Sequence, residues 1–288
     1  MYCQPSHTSG RDLVVAGTVC TVLLAVALFV PMIAGDPTAL DPYLLRITIA
    51  AVLATVVLRL VGKKQLWIPG ALATVIIGSA TFWLWLMDAL PSLHPAVLHH
   101  PNVDFTLGIL GQCIATGGGL LLLGRIAPAS RTWCSRLRRL SLPVLIAGVG
   151  SIVLFTVITF LLPAALLGRY AIIPGALGTM PAVLLVGDAL QGMVQEIQFR
   201  GALLSWLEGI VRPWQANLIQ ACFFGLAHIA IVFYAGPGVP LIPLAILLGY
   251  GAGWLTQKTG SLWPALILHA FIDIWVSLVI VPGLYGMG

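Results

Sequence analysis

Long apolar blocks separated by short polar segments make up most of the chain. A helix needs about 20 apolar residues to cross the hydrocarbon core of a bilayer, and each block is close to that length. No block alternates with the two-residue period of a barrel strand, so each is predicted to be helical. The nine blocks are 13–34, 43–61, 66–87, 105–123, 142–162, 181–206, 216–233, 239–255 and 262–281. The pattern predicts an all-α, polytopic transmembrane helix bundle with eight or nine spans, eight if one block is re-entrant or interfacial.

The composition supports a membrane protein. Of the 288 residues, 59% are hydrophobic and 8% are charged, whereas a soluble domain carries roughly a quarter charged residues. A water-soluble globule is therefore excluded. The five cysteines form no CxxC pair, so neither a disulfide framework nor a zinc knuckle is expected.

Lysine and arginine are distributed asymmetrically between the two sides of the predicted membrane. With a cytoplasmic N-terminus, the outer side keeps only Arg46 and Arg169, and all other basic residues near the blocks face the cytoplasm. This placement explains the net charge of +5 without a nucleic-acid partner. The apolar run 13–34 is longer than the h-region of a signal peptide, so we expect a retained first span. We expect an integral protein of a bacterial inner membrane, in contact with its lipids.

The basic segment 125–139 divides the chain into two predicted regions, 1–140 and 141–288. Before it, no block has an ionisable group near its middle, whereas three later blocks do. An ionised side chain at the bilayer centre costs at least ~2.5 to 3.5 kcal/mol, which makes such residues candidates for function. The candidate residues in these blocks are Asp188, Gln195, Glu196, Gln198, Arg200, His228, His269 and Asp273.

The spacing of these residues predicts a shared site. Glu196 and Arg200 are four residues apart, as are His269 and Asp273, so each pair lies on one helix face. Counted from the cytoplasmic ends at roughly 1.5 Å per residue, Glu196, His228 and His269 lie at similar depths. A cavity between the C-terminal helices is expected there, suited to activating water by a general base or on a metal. The structural alternative is a Glu/Arg clamp with two packing histidines.

Three ordered sequence motifs resemble those of the CPBP family of intramembrane CAAX-type prenyl endopeptidases and bacteriocin-processing or immunity proteins. QEIQFR (195–200), FGLAH (224–228) and HAFID (269–273) are similar to the family patterns EExxxR, FxxxH and HxxxN/D. The turn KTGS (258–261) before the last motif also matches. The resemblance covers roughly residues 141–281, and residues 1–140 form helices of unassigned role.

The resemblance implies an active site that hydrolyses a peptide bond in a prenylated CAAX-like or leader-type substrate. A glutamate at position 195, with His228, would activate water, and His269 and Asp273 would hold the oxyanion. Arg200 would pair with Glu196, and no cofactor would be needed. The candidate substrate-binding residues are Phe199, Phe224 and Trp263.

Position 195 departs from the family pattern. Gln195 stands where the family has its proposed general base, and an amide cannot accept a proton from water at neutral pH. Losing a positioned base commonly lowers the rate about 10²- to 10⁴-fold or more, so the chain as written is expected to be a poor protease. Either Gln195 is natural and the protein binds peptides without cutting them, or it replaces a natural glutamate.

Two other interpretations stay open. In the first, Zn²⁺ is bound by Glu196, His228 and His269 and carries the nucleophilic water, although the chain has no HExxH motif. In the second, the polar cavity serves a catalytically inactive peptide-binding or bacteriocin-immunity protein. A transporter is less consistent with the sequence, because the chain shows no clear pair of repeats.

Overall fold

The computed structural model describes residues 40–60, 67–93, 101–127, 132–161, 182–228 and 241–279. Within these ranges the chain is helical almost throughout and has no strand, which confirms the all-α prediction. Eight of the nine apolar blocks fall largely on the helices, and block 13–34 lies outside the described residues. The helices are α1 (Leu40–Leu60), α2 (Trp67–Leu93), α3 (Pro101–Ile126), α4 (Thr132–Leu137), α5 (Leu142–Leu161), α6 (Ala182–Glu196), a π-helical continuation (Ile197–Leu203), α7 (Leu204–Leu207), α8 (Pro213–Ala227), α9 (Leu241–Thr259) and α10 (Trp263–Val279).

The described residues fall into two compact units. The first contains α1, α2 and the part of α3 from Gly111 onward; the second contains the start of α3 and the helices from α4 to α10. The predicted division into 1–140 and 141–288 stays a prediction.

Small residues bring α1 and α2 of the first unit together. A Cβ on Gly70 would lie 2.6 Å from Thr55 Oγ1, so a larger side chain there would push the helices apart. Thr48 Oγ1 and Thr81 Oγ1 form a hydrogen bond of 2.9 Å between the two helices. Close approach at small residues, joined by hydroxyl hydrogen bonds, is typical of helix packing in membranes, where no hydrophobic force drives helices together.

In the second unit, α10 packs against α5, α6 and α9, and α8 packs against α9. The turn before α10 contains Gly260 at φ 63°, a left-handed conformation that glycine adopts without strain. Ser261 Oγ then accepts a hydrogen bond of 3.3 Å from Trp263 N, at the start of α10. Pro213 starts α8, where a missing N–H removes no helical hydrogen bond. The starts of α8 and α10 therefore position the two helical segments that carry the histidines.

The burial pattern differs from that of a soluble protein, because several charged and amide side chains are buried while large aliphatic ones are exposed. Glu196, Asn217 and Gln220 are fully buried, and Arg200 is 1% exposed. Large aliphatic side chains are instead exposed on α1, α3 and α5, for example Leu53 at 58%. Many exposed apolar side chains on the same helices are typical of a surface that contacts lipid or another apolar partner. The pattern fits a protein whose outer surface faces a bilayer.

One stretch in the described part of the chain, Thr106–Ile126, is long and apolar enough by itself to cross a membrane. The other apolar helical stretches are shorter: Ala51–Leu60, Gly70–Trp83, Leu142–Ile158 and Trp263–Val276. The count of eight or nine spans and the cytoplasmic N-terminus therefore stay predictions.

Candidate active site

Glu196 and Arg200 form the centre of the site, at the junction of α6 and the π-helical segment. Arg200 Nη1 donates a hydrogen bond of 2.7 Å to Glu196 Oε1, and both side chains are 1% exposed. A buried carboxylate needs a partner of opposite charge, because transfer of a lone ion out of water costs several kcal/mol. The four-residue spacing in the sequence supplies that partner from the same helix.

His269, on α10, bonds to the same carboxylate oxygen. Its Nδ1 lies 2.6 Å from Glu196 Oε1, although the two residues are 73 positions apart in the chain. A carboxylate can only accept, so Nδ1 carries a hydrogen and donates it. The remaining nitrogen, Nε2, lies 3.5 Å from Asp273 Oδ1, at the edge of hydrogen-bonding distance. His269 is thus oriented by Glu196 and presents Nε2 towards Asp273.

Gly192 allows α6 and α10 to approach at this point. A Cβ on Gly192 would lie 2.9 Å from Asp273 Oδ2 and 3.0 Å from the carbonyl carbon of His269. The second of these atoms belongs to the backbone and could not move aside. Asp188, one turn earlier on α6, is 5% exposed and interacts electrostatically with Asp273. The only signal for Gly192 in the sequence is its position one turn before Glu196.

Phe224, on α8, packs against three of the predicted site residues. The Arg200 guanidinium carbon lies 4.1 Å from the centre of its ring, a cation–π arrangement. The imidazoles of His228 and His269 have ring centroids 4.5 Å and 5.4 Å from that of Phe224. One aromatic ring therefore gathers residues from the π-helical segment, α8 and α10 into a single cluster.

His228 is held by its own helix. Its Nδ1 lies 2.8 Å from the carbonyl oxygen of Phe224, and because a carbonyl only accepts, Nδ1 is the donor. In the neutral imidazole this tautomer leaves the lone pair on Nε2. The ring can therefore act as a hydrogen-bond acceptor or base through Nε2.

Three buried polar atoms of the motif QEIQFR (195–200) have no protein hydrogen-bond partner in the part of the chain that the structure describes. They are Gln195 Oε1, Glu196 Oε2 and Arg200 Nε. Buried polar groups in native proteins are nearly always bonded to protein or ordered water. These three atoms lie on residues within one and a half helical turns. Together they are suited to binding a water molecule or the polar group of a substrate.

The three candidate substrate-binding aromatics lie in different surroundings. Phe199 and Phe224 are each 4% exposed and pack edge to face with centroids 5.3 Å apart. Trp263 donates its indole N–H to the carbonyl oxygen of Leu137 at 2.8 Å, which ties the start of α10 to the end of α4. Their assignment to substrate binding stays a prediction.

The zinc alternative requires Glu196, His228 and His269 to converge on one point. Among the described residues, no group of three histidine, cysteine, aspartate or glutamate side chains is arranged to hold a metal ion. Glu196 Oε1 is also already bonded to Arg200 and His269. The residues therefore do not fit a three-ligand zinc site in this arrangement, and whether the protein uses a cofactor stays untested.

Two features of the site lie beyond what local sequence patterns indicate. The backbone from Ile197 to Leu203 is π-helical, a rare conformation that is frequent at functional sites. Arg136, from α4, also donates to the carbonyl oxygen of Arg200 at 3.3 Å. The only sequence signal for Arg136 is its place in the basic segment, which the topology of a membrane protein already explains.

Comparison with known proteins gives one family. Residues 177–275, about a third of the chain, match the family model described as type II CAAX prenyl endopeptidase Rce1-like. This confirms the CPBP assignment that the three motifs predicted, for the segment that contains all of them. The family consists of integral membrane proteases. Neither a curated protein nor a solved structure matches the chain.

Proposed function

We propose, from the membership of residues 177–275 in the Rce1-like family, that this protein is built as an intramembrane glutamic endopeptidase. Its substrate would be a membrane-associated peptide, of the prenylated CAAX or leader type. The observation that carries the proposal is the buried cluster in which Glu196 joins Arg200 to His269 beside the unused polar atoms of the same helix. A structural clamp alone would not need those unpaired atoms.

In the proposed reaction, a glutamate at position 195 accepts a proton from water while the water oxygen attacks the scissile carbonyl carbon. His228 Nε2 accepts the second hydrogen bond of that water. The proton then passes to the leaving amine as the C–N bond breaks, which yields a carboxylic acid and an amine. No covalent intermediate and no serine or cysteine nucleophile is required.

The opposite side of the cleft would stabilise the oxyanion. Glu196 holds His269 through Nδ1, so a protonated His269 would donate its Nε2–H, and a protonated Asp273 carboxyl would donate its O–H, to the developing oxyanion. A preorganised donor of this kind typically contributes about 10²- to 10³-fold in rate. Arg200 neutralises Glu196 and keeps it in place.

Gln195 leaves this mechanism without its base. Its Oε1 is buried and has no described partner, in a position where a carboxylate of the same shape could bind water. We therefore propose that the chain as written cleaves slowly or not at all. The second candidate function, a peptide-binding or bacteriocin-immunity protein without catalysis, is favoured by Gln195 alone.

Installing the missing carboxylate tests the proposal. We expect Gln195→Glu, purified in detergent and assayed with fluorescent prenylated and leader-type peptides, to hydrolyse at least about 10²-fold faster than the parent chain. Gln195→Ala is the matched control and should stay inactive. Adding His228→Ala to Gln195→Glu should remove the gain. If Gln195→Glu cleaves none of the peptides but binds them as tightly as the parent, the binding function replaces the protease.

Chelation tests the choice between a metal-free and a zinc reaction. Activity of Gln195→Glu that survives dialysis against a strong zinc chelator, with metal content measured by atomic emission, supports the glutamate mechanism. Loss of activity with recovery on added Zn²⁺ would support a metal site instead.

A further inference from the structure

The short helix α4 lies outside the family-matched segment, yet it contacts the π-helical segment that follows Glu196 and the start of α10, the helix that carries His269. Arg136 donates through Nη1 to the carbonyl oxygen of Arg200 at 3.3 Å and through Nη2 to the Glu208 carboxylate. Glu208 directly follows α7. The Arg136 guanidinium therefore binds both the π-helical segment and the end of α7. Its side chain is 16% exposed.

The other side of α4 is attached to α10. The carbonyl oxygen of Arg136 accepts from Leu262 N at 3.3 Å, and that of Leu137 accepts from Trp263 Nε1 at 2.8 Å. These are the free carbonyls at the end of a helix, which need partners when they are buried. The start of α10 supplies them.

Gly201 and Trp133 form a further contact between the π-helical segment and α4. A Cβ on Gly201 would lie 3.2 Å from Trp133 Cβ and 3.3 Å from Leu262 Cδ1, so the π-helical segment, α4 and α10 meet at this glycine. Trp133 is 8% exposed. Glu208 also accepts from Gln257 Nε2 of α9 at 2.9 Å, which adds α9 to the junction.

We propose that α4 is a staple that sets the spacing between the π-helical segment and α10, and that Arg136 is a positioning residue for the catalytic pair Glu196 and His269. Helices are stiff, so fixing Arg200 on one helix and Leu262, directly before the other, fixes the 2.6 Å contact between Glu196 and His269. A displacement of about 1 Å in a reacting group can lower a rate about 10²-fold. The contact between Glu196 and His269 lies inside the family-matched segment 177–275, and it therefore depends on α4, which lies outside that segment.

This inference rests on the proposed function, and its first test uses the Gln195→Glu background. We expect Arg136→Ala to lower kcat about 10- to 100-fold with KM changed less than about threefold. Arg136→Lys should recover part of the loss, because an ammonium can reach one of the two acceptors but lacks the guanidinium fork. Arg138→Ala removes the same charge from an exposed neighbour and should change neither constant. An equal loss of kcat in Arg138→Ala, or none in Arg136→Ala, would overturn the staple.

A second test does not depend on activity. In the full-length parent chain, hydrogen–deuterium exchange should rise on Arg136→Ala in both 197–203 and 262–266, and stay unchanged on Arg138→Ala. Gly201→Ala, which separates the three elements without touching a charge, should raise exchange in the same two segments. If these segments respond as expected while Gln195→Glu is inactive, the staple stands and the protease proposal fails. Unchanged exchange in both segments would reject the staple whatever the activity.

Discussion

Two helix contacts in the same unit use polar groups in different ways. Between α8 and α9, Asn217 Nδ2 donates to the carbonyl oxygen of Tyr250 at 2.9 Å, and Gln220 Nε2 donates to that of Gly249 at 2.9 Å and to Asn217 Oδ1 at 2.8 Å. Between α6 and α10, the contact is made by a carboxylate and an imidazole, with a guanidinium on the same carboxylate oxygen.

The comparison distinguishes polar side chains that only join two helices from polar side chains that are suited to a chemical reaction. The α8–α9 amides are neutral and donate two hydrogen bonds to backbone carbonyls and one to each other, which joins the helices at a modest cost of burial. The α6–α10 contact instead joins a carboxylate, an imidazole and a guanidinium, and Glu196 Oε2, Arg200 Nε and the neighbouring Gln195 Oε1 have no described partner. Gln220 Oε1 also has none, so a single unpaired acceptor is not diagnostic. The ionisable cluster with several such atoms is what distinguishes the candidate site.

Removing the shared carboxylate should have the largest effect on stability. Glu196→Ala leaves Arg200 buried without its partner, and breaking a buried ion pair in this way costs about 3 to 5 kcal/mol. Asn217→Ala, the matched change in the α8–α9 contact, should cost only about 1 kcal/mol. Denaturant-induced unfolding in detergent, followed by circular dichroism, measures both. Equal costs would contradict the distinction between the two contacts.

Separating α6 from α10 should affect activity more than folding. Gly192→Ala forces a methyl group against the His269 backbone, so the helices must move apart by several tenths of an ångström. In the Gln195→Glu background we expect kcat to fall about 10²-fold. Gly150→Ala, on α5, is the control, because a Cβ there has no neighbour within 4 Å. Full activity in Gly192→Ala would show that the close approach is not needed for the reaction.

A smaller effect is expected from adding a methyl group at the close contact between α8 and α9. A Cβ on Gly253 would lie 1.9 Å from Asn217 Oδ1, so Gly253→Ala should destabilise the protein by about 1 to 3 kcal/mol. Gly251→Ala is on the same helix with nothing within 4 Å, and should stabilise it by about 0.4 to 1 kcal/mol. Melting temperatures in detergent give the comparison. Destabilisation by Gly251→Ala would indicate that loss of flexibility, rather than the clash, governs this helix.

Much of the fold followed from local pattern. The apolar blocks predicted helices, and the described ranges are helical, because a backbone in hydrocarbon must satisfy its hydrogen bonds within one segment. The spacing of Glu196 and Arg200 predicted their pairing, since residues four apart share a helix face. The three motifs also predicted the family that matches residues 177–275.

Features that depend on neighbours along one helix could be predicted from the amino-acid order: the helical class, the Glu196 and Arg200 pair, and the order of the motifs. The contacts between helices could not: Glu196 meets His269, Phe224 joins three elements, and Arg136 reaches Arg200. The reason is that a contact between helices depends on their relative shift and rotation. Those are set by glycines such as Gly192 and Gly201, whose missing side chains carry no signal until a neighbouring helix packs against them.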